Sequence, residues 1–375
     1  MSSFVWYRLK KAYALSPALG ADAVPPVMEA YHRRTRESRG LMKRASDKAV
    51  DAAFHIWAPI RAKQVAQQVE LDARWIANAT AIARSAYMDP LDIALYDIGT
   101  ASECAPFLRR FEWTAISKRI NRRTWRPHCA LVDKVLFAER CAHADLPHPE
   151  VMAYKRGRST TNLSAATGDA FCKPVGGYGG KRAFVLQAGD GEMIGAHLPR
   201  DTIAQERLRP HPGMAALTGE ALITARIITI FNEADEPEIV STALRLPNDP
   251  DAIVDNGALI APIDAETGTI GAARLLWAGG DISRRWSHHP MTGAAVRGAK
   301  LPDWEAAKSL AVHAHASAFG DYTVIGWDIG LTDQGPLLIE GNGKPSVTIT
   351  QRATGRGVWD TRMGELLLHH LGSEV

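Results

Sequence analysis

Residues 322–345, "YTVIGWDIGLTDQGPLLIEGNGKP", constrain the fold of this chain more than any other stretch. Two runs of alternating residues flank "TDQG", which predicts a β-hairpin with a tight turn centred near Gln334. Pairing symmetric about that residue places Asp328 opposite Glu340, and the strand period of two puts Asn342 on the same face as Glu340. The opposite face is then apolar and fixes the register. It comprises Ile325, Trp327, Ile329 and Leu331 on one strand and Leu337 and Ile339 on the other.

The polar face of this hairpin predicts a metal site. Two facing carboxylates repel each other unless a cation lies between them. Carboxylate and amide oxygens suit a hard divalent ion, and Mg²⁺ typically combines a few protein oxygens with phosphate oxygens. Asp328, Glu340 and Asn342 are therefore candidate ligands for Mg²⁺ or Mn²⁺. The hairpin alone leaves open the alternative of a solvated polar face on an edge hairpin.

A second informative stretch, "FCKPVGGYGGKRAF" at residues 171–184, holds four glycines between two lysines. Glycine clusters persist where the backbone bends freely or approaches a ligand closely, and the flanking cations suggest phosphate. Val175 and Arg182 stand where a Walker A loop needs glycine and Ser or Thr, and Arg182 also replaces the third glycine of a dinucleotide fingerprint. The stretch therefore predicts either a phosphate loop of another kind or a glycine-rich hairpin turn.

The order of patterns along the chain indicates an α+β protein. From about residue 27 to residue 87 the chain is rich in Ala, Arg, Gln and Glu, which predicts helices. Asp133 is placed to cap a helix that runs through Ala142. Beyond Val151, short β-branched runs alternate with Gly, Pro, Asn and Asp, and this pattern predicts a strand-rich catalytic region with a helix around residues 301–319.

Composition excludes several classes of protein. With 46% apolar and 23% charged residues, the 375-residue chain has the make-up of an ordinary globular protein. No apolar run approaches the ~20 residues needed to span a bilayer. The four cysteines show no CxxC pair and no metal-ligand spacing, which suits reduced thiols and predicts a cytoplasmic location.

Charge divides the chain unevenly. Residues 1–126 carry 21 Lys and Arg against 12 Asp and Glu, a balance of +9, so the remaining residues sum to −6 of the total of +3. Such a basic module could meet an acidic glycan, an anionic membrane surface or nucleic acid. Charge runs are more often solvated helix faces, so we favour that interpretation and regard nucleic acid as an unlikely partner.

Together these motifs resemble the ATP-grasp superfamily. Lys134 in "VDK", "CKP" with its glycine loop, paired strands that carry arginines, and the terminal hairpin are its common features. More narrowly, "YMDPLDIALYDI", "ITARIITI", "VDNGALIAPIDAETG" and "HHPMTG" are similar to the sugar-transfer-associated ATP-grasp proteins. The resemblance covers roughly residues 85–371. It implies an ATP-grasp fold, in which two α+β subdomains grip ATP, preceded here by a mainly helical basic module. The expected boundaries are 1–126 for that module, 127–205 for subdomain 1 with the glycine loop, and 206–375 for subdomain 2 with the hairpin.

The resemblance also implies roles for single residues. Lys134 and Lys173 would neutralise the α- and β-phosphates of ATP, while the glycine loop would close over the γ-phosphate. That loop comprises Gly176, Gly177, Gly179, Gly180 and the following Lys181. Mg²⁺ would lie on the three hairpin ligands. The adenine crevice maps onto Gln205, Glu206, Arg207 and Leu208. The remaining candidates, which would face phosphate or substrate, are Arg226, Arg245, His289 and Lys344.

One departure concerns the residue two positions before the hairpin aspartate. Related ligases often have arginine there, whereas this chain has Gly326. Charge in the transition state would then be met by Arg226, Arg245 or Lys344.

The implied activity is an ATP-dependent carboxylate–amine ligase that forms an amide through an acyl phosphate. The implied cofactors are ATP and Mg²⁺ (or Mn²⁺), and the partners are a small-molecule carboxylate and an amine, with an anionic or sugar-containing acceptor as a further candidate. Two alternatives stay open. The first is an ATP-grasp phosphotransferase, and the second is a non-catalytic basic scaffold that binds glycan, membrane or nucleic acid.

Overall fold

A computed structural model of the chain describes residues 32–34, 37–163, 169–177, 182–187, 193–247, 259–277 and 280–373. The chain separates into two compact units. Unit 1 comprises Met1–Ile120, Arg274–Arg285 and Ser346–Val375, and unit 2 comprises Asn121–Ala273 and Trp286–Pro345. The division at residues 126 and 205 stays a prediction.

Unit 1 is mainly helical, as its composition predicts. Its helices are α1 (Leu41–Gln68), α2 (Ala73–Ala86), α3 (Pro90–Tyr96), α4 (Arg110–Ile120), α9 (Val347–Thr354) and α10 (Arg362–Ser373). Local caps explain two of the starts: the Asp72 carboxylate accepts from the Trp75 amide at 2.8 Å, and Asp89 accepts from the Leu91 amide at 3.0 Å. Buried apolar side chains on α1, α2 and α3, such as Phe54 and Ile82, pack into one core.

Unit 2 contains two antiparallel sheets. The smaller sheet has the order β2-β1-β5-β3-β4, and five strands of the larger sheet follow the order β11-β10-β6-β7-β8. The strands are β1 (Val151–Arg156), β2 (Ser159–Asn162), β3 (Ala170–Pro174), β4 (Phe184–Leu186), β5 (Thr202–Glu206), β6 (Thr224–Phe231), β7 (Pro237–Leu246), β8 (Leu259–Pro262), β10 (Val324–Thr332) and β11 (Gly335–Asn342); the two-residue β9 (Arg274–Leu275) belongs to unit 1. The helices of unit 2 are α5 (Lys134–His143), α6 (Ile194–His197), α7 (Ala215–Thr218) and α8 (Trp304–Ser317). The α+β class predicted from the sequence is confirmed.

The hairpin β10–β11 has the predicted pairing of Asp328 with Glu340, but it reaches that pairing by another route. Thr332 pairs with Gly335, so the turn consists of two residues and lies closer to the amino end than predicted. A β-bulge between Asp328 and Ile329 then shifts the register by one residue and brings the carboxylates opposite each other.

Because of the same bulge, the apolar face of the hairpin differs from the predicted one. Ile329 pairs with Leu338, which is fully buried, whereas Leu337 pairs with Gly330 on the polar side of the strand. Ile339 also lies on that side, because its Cδ1 is 2.9 Å from the place where a Cβ on Gly330 would stand. The prediction that Leu337 and Ile339 lie on the same face as Trp327 was therefore wrong.

The smaller sheet also has two different faces. Cys172 and Ala204 are buried in an apolar cluster with Ile194 and Leu198. The alternate residues Lys173 and Ile203 pair across β3 and β5 and face the opposite way. All four cysteines are buried and free of disulfide bonds. Among the described residues, no helix combines the length and the apolarity required to cross a bilayer.

Candidate functional site

Five predicted site residues lie on one face of the larger sheet. They are Asp328, Glu340 and Asn342 of the hairpin, Arg226 on β6 and Arg245 on β7. Asp328 pairs with Glu340 on β11 and with Arg226 on β6, while Gly326 pairs with Asn342. Arg226 in turn pairs with Ala243, two residues from Arg245 on β7. Because residues two apart share a face, the charged groups form a continuous patch across four strands.

The Arg226–Asp328 ion pair anchors this patch. The Arg226 Nε donates to Asp328 Oδ1 at 2.6 Å and Nη2 donates to Oδ2 at 2.9 Å, and the two side chains are each 7% exposed. Burial and the nearby Glu340 carboxylate still keep the pKa of Asp328 above its usual value, although the guanidinium opposes this. A Cβ on Gly326 would lie 2.5 Å from Pro345 Cβ and 3.4 Å from Arg226 Nη1. Glycine at 326 thus leaves room for an arginine that comes from the neighbouring strand.

Glu340 has the opposite balance. Burial disfavours its charged form, but the ammonium groups of Lys173 and Lys134 outweigh burial and hold the pKa of Glu340 below its usual range. Glu340 is therefore an anion at neutral pH that faces cations from the smaller sheet and from α5.

Asn342 completes the donor set of the predicted metal site. Its side-chain amide lies 3.5 Å from Asp328 Oδ2 and 3.5 Å from Glu340 Oε1. The described residues contain no cluster of three His, Cys, Asp or Glu side chains suited to a metal. Two carboxylates with one amide are instead a set of hard oxygen donors, and this chemistry fits Mg²⁺ or Mn²⁺ with phosphate oxygens as further ligands.

Lys173 and Lys134 approach the carboxylates from the other side. Burial lowers the pKa of Lys173 to about 8, with Glu340 and Asp328 acting against the shift, so this side chain is cationic at neutral pH. Lys134 begins α5, whose predicted cap is confirmed: Asp133 accepts from the Val135 and Leu136 amides at 3.0 and 3.2 Å. The Lys134 Nζ donates to Gly177 O at 3.0 Å, which ties the helix to the glycine loop.

Only the start of the glycine loop is described. Gly176 and Gly177 follow β3, and Gly177 has φ +111°, a conformation that favours glycine. Lys134, Gly177, Glu340 and Asn342 line one small cavity. Gly179, Gly180 and Lys181 lie outside the described residues.

The predicted adenine segment leaves the end of β5. Gln205 is buried and donates from Nε2 to Pro149 O at 3.4 Å, and Glu206 accepts from the Glu150 amide at 2.9 Å. Arg207 pairs with Asp169 at 3.0 Å, and Leu208 is half-buried. Gln205 pairs with Phe171 and so shares the Lys173 face of the smaller sheet.

Arg245 and Lys344 differ in their surroundings. The Arg245 Nε is buried, yet it has no hydrogen-bond partner within the described part of the chain. It lies close enough to Asp328 to stabilise the charged carboxylate. Lys344 follows the hairpin and places its Nζ 5.9 Å from the centre of the Trp125 ring.

His289 does not match its predicted role as a substrate-facing residue. The residue is 1% exposed, its Nε2 lies 2.7 Å from Pro247 O, and its Nδ1 accepts from the Thr292 amide at 3.3 Å. Both ring nitrogens therefore hold the backbone of the loop, and neither is left for a substrate.

Asn121 and Thr124 support the site, and sequence reasoning missed both. The Asn121 Nδ2 donates to Val324 O at 2.7 Å and to Gly343 O at 2.5 Å, and Thr124 Oγ1 donates to Gly343 O at 3.3 Å. These bonds hold both strands of the hairpin beside Asn342. Both residues lie within "INRRTWRP", a stretch whose most prominent feature is its arginines. The one signal for Asn121 is its polar side chain between an apolar residue and a basic one.

Comparison with known proteins supports the resemblance. Residues 194–363 match the sequence profile of a family described as sugar-transfer associated ATP-grasp, which confirms the predicted family resemblance over that region. No curated protein matches the chain.

Solved structures with detectable likeness include three enzymes. D-alanyl-alanine synthetase A from Vibrio cholerae is 12% identical, with a TM-score of 0.37 and 66% of each chain covered. The ATP-grasp ligase PsnB, complexed with precursor peptide PsnA2 and AMPPNP, is 18% identical, with a TM-score of 0.37 over 66% of this chain and 59% of that chain. N5-carboxyaminoimidazole ribonucleotide synthetase from Thermotoga maritima is 12% identical, with a TM-score of 0.30 over 57% of this chain and 42% of that chain. The matches thus leave at least a third of each of these chains uncovered.

Proposed function

We propose that the chain is an ATP-dependent ligase that joins a carboxylate to an amine through an acyl phosphate. The observation that carries this proposal is the charged face of unit 2, where Glu340 and Asp328 lie between Arg226 and two lysines. Lys134, Lys173, Arg226 and Arg245 outnumber the two carboxylates, so the face has a net positive charge. A polyphosphate with a divalent ion matches such a surface better than a neutral ligand does.

Each group then has a distinct task. Lys134 and Lys173 neutralise ATP phosphates, and Gly176 and Gly177 begin the loop that closes over them, together with Gly179, Gly180 and Lys181. Glu340, Asp328 and Asn342 would hold Mg²⁺ or Mn²⁺, which would supply positive charge to stabilise the transferred phosphoryl group. The adenine would lie against the segment Gln205–Leu208.

Arg245 is the residue best suited to the reacting carboxylate. Its buried Nε has no partner among the described residues, and an unsatisfied guanidinium donor is costly unless a ligand accepts from it. Arg226 is held by Asp328 and therefore orients that carboxylate.

The reaction requires no nucleophile from the protein. The substrate carboxylate oxygen attacks the γ-phosphorus and ADP leaves; the amine nitrogen then attacks the acyl carbon, phosphate leaves, and the amine loses a proton. Positioning and charge neutralisation supply the rate acceleration. Small-molecule carboxylates and amines are the proposed substrates, an anionic or sugar-containing acceptor extends this class, and the reduced thiols suit a cytoplasmic location.

The test combines binding with turnover. Calorimetry of ATP should show binding that requires Mg²⁺ or Mn²⁺, and equal affinity in EDTA would contradict the metal assignment. Phosphate release over a panel of amino acids, sugar acids and amino sugars should need both a carboxylate and an amine. Hydroxylamine should trap the acyl phosphate as a hydroxamate. Stable phosphorylated product without a hydroxamate would indicate a phosphotransferase instead.

A matched pair of variants links the activity to the site. Glu340→Gln removes one charge from the face and should lower turnover by roughly 10²–10³-fold. The control Glu305→Gln removes a charge of the same kind from α8, where Glu305 pairs with Lys308, and should leave turnover unchanged. Equal turnover in the two variants would show that Glu340 is no part of the machinery. If neither the parent nor the variants bind ATP, the alternative of a non-catalytic basic scaffold is favoured instead.

A further inference from the structure

Three arginines from two segments of the chain meet in unit 1. Arg274 and Arg285 bracket the segment 274–285, and Arg352 lies on α9. Arg352 joins these segments, because its Nε donates to Leu275 O at 2.9 Å and its terminal nitrogens donate to Leu95 O and Ile282 O. A single guanidinium thus connects α9, the end of α3 and the segment 274–285.

Arg352 is buried without a carboxylate. The residue is 2% exposed, and within the described residues its three hydrogen-bonding nitrogens contact backbone carbonyls only. Carbonyl oxygens satisfy the donors, but they do not neutralise the charge. A buried cation that has no counter-ion is costly.

Arg274 and Arg285 add two charges beside this buried one. Among the described residues, neither side chain has a hydrogen bond or an ion pair. Arg274 Nη2 lies 3.4 Å from the place where a Cβ on Gly355 would stand, so its guanidinium lies against the end of α9. The carboxyl end of a helix accounts for about half a negative charge. That partial charge is too small to balance three arginines.

The arginines of this cluster disfavour one another's charged form. Burial, together with repulsion from Arg274 and Arg285, lowers the pKa of Arg352 to about 10, and Asp97 acts against the shift. Burial and repulsion from Arg285 likewise lower the pKa of Arg274, again against Asp97. Asp97 is thus the acid that acts on both Arg274 and Arg352, and it is itself exposed to solvent.

We propose that Arg274, Arg285 and Arg352 form a binding site for the phosphoryl group of a ligand, distinct from the nucleotide site of unit 2. Three arginines and one aspartate leave two positive charges, which a phosphate monoester dianion balances, whereas a carboxylate balances only one. Guanidinium groups also match the geometry of phosphate oxygens. Arg352 holds the three segments together, and Arg274 and Arg285 supply donors that the described residues leave unused.

The experiment titrates the full chain with inorganic phosphate at constant ionic strength and follows binding by calorimetry. We expect saturable binding of one phosphate, weakened roughly tenfold or more in Arg274→Gln and in Arg285→Gln, since a charge-assisted hydrogen bond is lost. Arg285 is exposed, so its variant should fold normally, which circular dichroism checks. The control Arg284→Gln removes a charge from the adjacent exposed residue and should bind phosphate as the parent does.

Two further arms locate and identify the anion. Lys173→Gln removes a cation from unit 2 and should leave this phosphate binding intact, so the result does not depend on the proposed ligase activity. Acetate at the same ionic strength should fail to compete. The proposal is overturned by absence of saturable binding, by equal losses in Arg284→Gln and Arg285→Gln, by a loss in Lys173→Gln alone, or by acetate that competes as well as phosphate.

Discussion

Strand β10 has charged side chains around one of its faces and a neutral hydrogen-bonded network on the other. On the charged face, Asp328 lies between Arg226 and Glu340. On the opposite face, Trp327 Nε1 donates to Thr229 Oγ1 at 2.9 Å, Thr229 Oγ1 lies 2.7 Å from His315 Nδ1, and His315 Nε2 lies 2.7 Å from Tyr322 O. Each donor in this series of hydrogen bonds has one acceptor.

The difference separates structure from function. The neutral network is complete within the protein, so it stabilises the sheet and needs no ligand. The charged face has more cations than anions and a buried Arg245 Nε without a partner among the described residues. Buried polar groups that the protein leaves unsatisfied indicate where a ligand binds, whereas satisfied ones, such as His315 and His289, indicate packing.

The largest expected effect concerns the ion pair on the charged face. Arg226→Met leaves Asp328 buried without its partner and should lower the free energy of unfolding by about 3–5 kcal/mol, measured by urea denaturation. Adding Asp328→Asn removes the isolated charge and should restore part of that loss. If the single variant is as stable as the parent, Asp328 has another partner and the two faces do not differ as described.

A second prediction concerns the effect of acid on His315, which belongs to the neutral face. Burial lowers the pKa of His315 from 6.5 to about 4, so the folded protein disfavours its protonation. The stabilisation is fully present above pH 6.5 and is lost as the pH falls toward 4, by about 3 kcal/mol over that interval. Urea denaturation at pH 7 and pH 4 should show a smaller pH-dependent loss in His315→Gln than in the parent. Equal losses of unfolding free energy in the parent and in His315→Gln would show that protonation of His315 does not contribute to the effect of acid.

A pair of glycines compares the packing of the two faces. A Cβ on Gly326, on the charged face, would lie 2.5 Å from Pro345 Cβ, whereas one on Gly341, on the apolar face, would lie 2.6 Å from the methyl carbon Leu131 Cδ2. A proline ring yields less than a leucine methyl, so Gly326→Ala should cost about 1–3 kcal/mol and Gly341→Ala less. Urea denaturation measures both losses. A larger loss of stability in Gly341→Ala than in Gly326→Ala would contradict the inference that the charged face is packed more rigidly.

The smallest effect is expected in the loop that faces the carboxylates. Neither Gly176 nor Gly177 has an atom within 4 Å of an added Cβ, but only Gly177 has a positive φ, +111°. Gly177→Ala should therefore introduce about 1–2 kcal/mol of backbone strain and slow phosphoryl transfer more than it weakens ATP binding, while Gly176→Ala serves as the control. Equal rates in the two variants would show that the conformation of Gly177 has no role in turnover.

Particular residues show how far the sequence could be interpreted. The alternation in "VIGWDIGL" correctly placed Asp328 opposite Glu340, and "VDK" correctly predicted the cap at Asp133. The length of the turn and the bulge beside Ile329 were missed, and the two errors cancelled at the carboxylates. His289 was expected to face substrate because it lies in the loop "HHPMTG" of the resemblance, but its ring is buried and bonded to the backbone of the protein.

The sequence by itself determined which side chains of β10 share a face and that Asp133 caps the start of α5, because strand alternation and helix caps depend on neighbours within a few residues. Tertiary structure alone decided that Arg226 pairs with Asp328, which lies 102 positions later, and that arginines from two segments meet around Leu275 and Ile282. No local pattern encodes such contacts. They depend on which strands and loops the apolar core brings together, and the resulting balance of charge is a property of that assembly.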